Sequence, residues 1–247
     1  MKKKILVLCL VVALAVTAVV GGSLAYFTDT DNKTNTFTTG KVDITLNETF
    51  NEQTAKLLPG KDIAKIVNVT NNEEDAYVRL HIAFPADTIY YGNDGVQEYN
   101  NLVHFNQKYA SLVAGEWNWT PTSAGVGGNY PGYPGNGTNY NTYTTTIGGV
   151  EYRVFVVTYM TKLTEGATTK TDAMFNVYLD KYADTTDGET YTAPANVDYR
   201  TAEMSSNLNN YKILIVAEGC QAEGFNDPYT ALNTSFGVPS STNNPWA

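Results

Sequence analysis

The sequence predicts an all-β protein, a jelly-roll-like β-sandwich with one or two short helices. Two observations carry this. Eight or so runs of strand type recur along the chain, separated by Gly, Pro and Asn turn signals. Helical signals are nearly absent, and a single stretch near the C-terminus has both a start and a stop. A chain of 247 residues suits one large sandwich, and no internal repeat of about 20–50 residues is visible.

The chain begins with Lys2, Lys3 and Lys4, then an uncharged apolar run from Ile5 to Val20, then Gly21-Gly22-Ser23-Leu24-Ala25. A basic start, an apolar middle and small residues at Ser23 and Ala25 are the parts of a secretory signal peptide, cut between Ala25 and Tyr26. The competing reading is an uncleaved membrane anchor. With Gly21 to Ala25 included the run reaches 21 residues, and a span needs roughly 20, so length does not separate the two. No positive flank follows, since the next charges are Asp29 and Asp31. The chain therefore divides into a signal peptide at 1–25, an N-terminal segment at 26–39 and a single domain at 40–247.

Residues 26–39 (YFTDTDNKTNTFTT) are polar, with Tyr26, Phe27 and Phe37 as apolar anchors. Val42, Ile44 and Leu46 then alternate with Asp43 and Thr45, the pattern of a half-buried strand. Pro59-Gly60 marks a turn. Ile63 to Val69 alternates again, interrupted by Lys65. Ala76 to Phe84 places Tyr77, Arg79, His81 and Ala83 opposite Val78, Leu80, Ile82 and Phe84. Tyr99 to Val113 fits either a short strand pair or a helical turn. From 117 to 141 the chain is rich in Gly, Tyr, Asn and Pro and reads as a long loop, since nothing in it offers a continuous apolar face. Thr142–Ile147 and Val150–Met160 flank Gly148-Gly149, a hairpin signature, and the second run is apolar enough for a central strand. Met174–Leu179 is a further strand, 184–194 a polar loop, and Tyr211–Cys220 the last strong strand. Asp227 before Pro228, with Gly237 and Pro239 beyond, predicts one helix over 228–236.

The chain holds 16 basic and 25 acidic residues, a net charge of −9. Loss of residues 1–25 removes three lysines and no acid, which moves this to near −12 over 222 residues. An acidic protein gains nothing from counterion release, so nucleic acid is excluded as a partner. Anionic lipid is disfavoured for the same reason, and contact with a membrane is expected only before signal cleavage. Of the two cysteines, Cys9 lies inside the apolar run, which leaves Cys220 alone in the mature chain as a buried small side chain.

Catalytic signatures are missing from the sequence. It contains no HExxH, GxSxG, P-loop or GxGxxG motif. His81 and His104 are 23 positions apart, which rules out a two-histidine helix site. His81 reads as a surface or cleft histidine on a strand, and His104 as a packed or hydrogen-bonded one. Three acidic clusters (Asp29, Asp31 and Asn32; Glu73 to Asp75; Asp184, Asp187 and Glu189) read as solvated loops, because none completes a calcium-loop pattern. No cofactor, no metal and no enzymatic activity are expected. Eighteen tyrosines, several between Tyr130 and Tyr143, suit either half-wet strands or a contact surface.

Four stretches resemble one family. They are GGSLAYFTD at 21–29 with NTF at 35–37 and GKVDI at 40–44; LPG at 58–60 with NVTN at 68–71 and AYVR at 76–79; LTEGATT at 163–169 leading to Met174-Phe175; and AEGCQAEGF at 217–225 with Ala231-Leu232 and Phe236-Gly237. Together and in order they resemble the TasA/camelysin family, secreted Gram-positive proteins cut by a SipW-type signal peptidase. The insert at 117–141 has no counterpart in the resemblance. Gly219-Cys220 departs from the more usual alanine and isoleucine, which suggests a repacked strand.

The resemblance implies a jelly-roll fold, secretion to the extracellular matrix or cell surface, and a role in biofilm fibres. It also implies self-association, with residues 26–39 inserting as a donor strand into a neighbouring copy and Phe27 and Phe37 as anchors. The even spacing of these two puts both on one face of a regular strand. Partners are then other copies of the chain, the signal peptidase and other matrix proteins. Two rival functions remain: a surface adhesin using the 117–141 loop, and a metallopeptidase, as camelysin-like members are described.

Overall fold

Alternating apolar residues make strands here, and each strand needs a second sheet to bury its apolar row. The structure, a computed structural model, describes residues 41–51, 55–92, 95–106, 117–120 and 140–247. Residues Met1–Thr39 form one unit, which lies outside the described residues, and Gly40–Ala247 form a second.

The strands of the second unit are, in order, β1 (Ile44–Thr49), β2 (Ile63–Asn71), β3 (Ala76–Pro85), β4 (Tyr91–Gly92), β5 (Gly95–Val96), β6 (Val103–Phe105), β7 (Trp117–Asn118), β8 (Thr142–Ile147), β9 (Val150–Tyr159), β10 (Met174–Leu179), β11 (Thr190–Ala193), β12 (Met204–Asn207) and β13 (Leu214–Gln221). One α-helix, α1, spans Pro228–Phe236. The first sheet runs β1-β2-β10-β6. The second runs β13-β3-β9, and β9 carries β8 and β7 on its far edge. All these pairings are antiparallel. The chain crosses between sheets from β2 to β3 and again from β9 to β10, and β2 pairs β10 while β3 pairs β9. Two folded ribbons laid on each other in this way make a jelly-roll sandwich, as the sequence predicts.

The core lies between the sheets. Val67 and Val69 from the first meet Val78, Leu80, Ile82 and Phe84 of β3 and Phe155 and Val157 of β9. An aromatic knot bridges the layers: Phe105 stacks on Phe84 with centroids 4.5 Å apart, and meets Phe155 edge-on at 5.2 Å. β9 is central, and the Gly148-Gly149 turn that feeds it has both φ angles positive, at 59° and 85°, the conformation such a two-residue hairpin requires.

Helix α1 covers the outer face of the second sheet, where Ala231 and Leu232 pack on Tyr77 and Cys220. Its cap is the predicted one: the Asp227 side chain accepts from the Thr230 amide at 3.0 Å, with Pro228 in the first turn. Cys220 is buried as expected, and burial pushes its thiol pKa up.

Two expectations change, and a third, open between a strand pair and a helical turn, is resolved over its described part. The ends of the 117–141 insert belong to the core: Trp117 pairs with Tyr159 in the second sheet, and Trp117 and Trp119 are fully buried. Two tryptophans in three residues supply the apolar area that the Gly-rich composition around them hides, and residues 121–139 lie outside the described residues. The 184–194 loop contains β11, which pairs with β12 and closes a small second core of Leu102, Val103, Leu179 and Ala193. Within 99–113, the described part is a 3-10 turn at Glu98–Asn100 and the short strand β6.

Candidate functional site

The sandwich is closed unequally. Strands β1 and β13 stand at the edges of their sheets on the same long side, and neither has a second strand neighbour among the described residues. Register shows which side chains point inward. Ile44, Leu46 and Glu48 lie opposite Asn71, Val69 and Val67. Ile44, Leu46, Ile213, Ile215 and Ala217 pack on the core but are only partly buried, whereas Val67, Val69, Leu80 and Ile82 are fully enclosed. The two sheets therefore meet along this seam without a strand to seal it.

At one end the seam is shut, because Ile44 lies directly over Gly219. At the other it widens into a groove of about 780 Å³ bordered by Glu48, Phe50, Ile63, Lys65, Tyr211 and Ile213. The inward row of β2 reads Ile63, Lys65, Val67, Val69, so a lysine occupies an interior position. Lys65 is 3% exposed. Its Nζ donates to Glu48 Oε1 at 2.6 Å and lies 4.7 Å from the Phe50 ring centroid. The inward rows of β1 and β2 thus place opposite charges side by side at the groove. The interruption at Lys65 was the sequence signal for this, legible as a break in alternation and not as a site.

The histidines have structural surroundings. His81, predicted at a surface or cleft, is completely buried on the outer face of β3. The cause is coverage from the C-terminal tail and from β8, since Trp246 and Tyr143 respectively stand edge-on to its ring. Its Nδ1 is 2.9 Å from Tyr143 Oη and its Nε2 3.0 Å from Glu218 Oε2. Burial lowers the His81 pKa, outweighing the hydrogen bond and charge of Glu218, which raise it. A neutral ring then donates from Nε2 to the carboxylate and accepts the tyrosine hydroxyl at Nδ1. Burial alone would raise the Glu218 pKa, but the bond from His81 and the Arg79 guanidinium hold it below the ordinary value. Arg79 continues to Asn233 Oδ1 and the Gly237 carbonyl, which fastens α1 to the sheet.

His104 is packed and hydrogen-bonded, as read from sequence. Its Nε2 is 2.8 Å from Asp180 Oδ2, and its ring stacks on Tyr178. Arg200 meets the same carboxylate oxygen at 3.0 Å and also donates to the carbonyls of Tyr99, Asn100, Asn101 and Ala193. One buried guanidinium thereby closes several loops at once. In the acidic loop at 184–189, Asp187 accepts from the amides of Glu189 and Thr190 and the Thr185 hydroxyl. Those bonds pull its pKa down to about 2, so its lone pairs serve the turn.

The cleavage pair Ala25 and Tyr26, the anchors Phe27 and Phe37, and the cluster Asp29, Asp31 and Asn32 all lie outside the described residues. Among the described residues no helix is long and apolar enough to cross a membrane.

These features define a class: a secondary-structure scaffold of jelly-roll type with one unsealed seam. Residues 1–82 match the family model described as camelysin metallo-endopeptidase, so the resemblance to the TasA/camelysin family is borne out over that stretch, which ends inside β3. No curated protein matches the chain. The family's description implies a metal, and the described residues do not fit one. Both ring nitrogens of His81 are engaged within the fold, His104 is bound to Asp180 in the other sheet, and no group of three metal-ligating side chains comes together among the described residues.

Proposed function

We propose that the chain is a secreted structural protein of an extracellular matrix, which forms or decorates fibres by self-assembly. Cleavage after Ala25 frees residues 26–39, and this segment enters the seam between β1 and β13 of a neighbouring copy. The observation that carries the reading is the seam itself. Its inward apolar residues are left partly exposed, and both bordering strands offer a backbone edge. Such an edge is a template for another strand. Backbone bonding supplies affinity, and pockets for alternate side chains select the register. The family match supports the reading, because it spans the donor segment together with β1 and β2 of the acceptor.

The test compares protein beginning at Tyr26 with protein beginning at Gly40, by light scattering and electron microscopy. The first polymerises and the second stays monomeric. Equal polymerisation of both would refute the reading. The family description gives a second reading, proteolysis. Casein cleavage that is lost with chelator and with substitution of His81 or His104 would support it over the first.

A further inference from the structure

The sealed core of this sandwich has no need of a lysine at the third position of β2. A buried ammonium is costly unless it is paired and hydrogen-bonded, and a methionine would fill the same space without that cost. Lys65 Nζ has three donors. Among the described residues its hydrogen-bond partner is Glu48 Oε1 alone, and Glu48 is 37% exposed at the mouth of the groove. Lys65 itself lines the groove that the seam opens into.

The segment 26–39 has a matching pattern. On a regular strand the face that carries Phe27 and Phe37 also carries Asp29, Asp31, Lys33 and Asn35. A strand with acids on its inward face requires a cation inside the sheet it joins. Fourteen residues extend about 46 Å, and the open acceptor side, from Tyr211 to Ala217 before the closure at Gly219, about 23 Å, so the segment is long enough to line the open seam.

We infer that Lys65, presented by Glu48, is the contact that sets the register of a second copy's residues 26–39, by receiving the carboxylate of Asp29 or Asp31. This rests on the donor-strand reading above. Phe27 and Phe37 then fall on either side of the ion pair, Phe27 near the groove walls made by Phe50, Ile63, Tyr211 and Ile213, and Phe37 about 20–26 Å away along the strand. A one-residue slip would turn every inward side chain outward, and a slip beyond the two aspartates would bring Phe27 or Lys33 to the lysine. The lysine therefore limits pairing to the registers that bring Asp29 or Asp31 to it, out of several of similar backbone bonding, and registry is the best-attested role for a buried polar group.

The experiment uses mature protein beginning at Tyr26 in three forms: Lys65→Met, Lys65→Glu, and Asp29→Lys with Asp31→Lys. Lys65→Met keeps the fold, read from an unchanged or raised melting temperature, and raises the critical concentration for polymerisation about tenfold or more, as expected for removing one partner of an enclosed charge pair. Lys65→Glu and the double aspartate variant each fail to polymerise alone. Mixed in equal amounts they copolymerise, because each supplies the charge that the other's seam lacks. Normal polymerisation of Lys65→Met, or a mixture no more active than its parts, overturns the assignment. If the segment pairs with its own sheet instead, mixing has no effect, while a chain carrying Lys65→Glu, Asp29→Lys and Asp31→Lys together folds as a monomer, which also overturns it. Polymerisation by protein beginning at Gly40 would refute the donor-strand reading itself, a result separate from any effect at Lys65.

Discussion

Ile44 and Gly219 are in such close contact that a Cβ at Gly219 would lie 2.9 Å from both Cδ1 and Cγ2 of Ile44. The edge strands β1 and β13 touch there because one of them has no side chain. Gly219→Ala should destabilise the domain by about 1–3 kcal/mol, the range for overpacking a filled site. Ile44→Val in the same chain should recover part of the loss. Additive losses in a double-mutant cycle, measured by urea denaturation, would show that the two residues are not coupled.

A second prediction concerns Arg200, whose guanidinium meets Asp180 and several backbone carbonyls while buried. Arg200→Ala leaves those acceptors and the Asp180 carboxylate unpartnered in the interior. The expected cost is about 3–5 kcal/mol, as for breaking a buried ion pair. Arg200→Lys restores the charge but not the fork, and should recover less than half. Thermal unfolding of the two variants checks the order.

The third concerns acid. Burial holds His81 and His104 below the ordinary imidazole value of 6.5. The unfolded chain therefore takes up protons near 6.5 while the folded chain does not, so stability falls as pH drops below that value. Glu218 and Asp180 are held below their ordinary values of 4.5 and 3.8, and stability falls again as pH passes down through that range. Denaturant midpoints measured from pH 7.5 to 4 should decline throughout. His81→Gln should flatten the upper part of the decline, and a midpoint that rises on acidification from 6.5 would contradict the assignment of neutral, buried rings.

The fourth is local. Asp227 caps α1 through the Thr230 amide. Asp227→Ala should cost about 1 kcal/mol and loosen the contact of Leu232 with Tyr77. Hydrogen exchange of the α1 amides reads this directly.

Much of the fold is legible in the sequence because strands and turns are local signals. The alternation over 76–84, the Gly148-Gly149 turn and the Asp227-Pro228 start all correspond to elements in the structure. What sequence hides is coverage. His81 looks exposed because the residues that bury it, Tyr143 and Trp246, are 62 and 165 positions away. Trp117 and Trp119 were masked by the Gly and Pro around them. The seam is less legible still, since Lys65 shows only as a blemish in an apolar row until the register with Glu48 turns it inward.

The central claim is that the seam between β1 and β13 receives residues 26–39. The most direct measurement is backbone hydrogen exchange on protein beginning at Gly40, a compact unit in its own right, with and without a synthetic peptide of sequence YFTDTDNKTNTFTT. The account predicts slowed exchange in Ile44–Thr49 and Leu214–Gln221 when the peptide is present. Exchange unchanged in both strands, or slowed only at the 121–139 stretch, would contradict it.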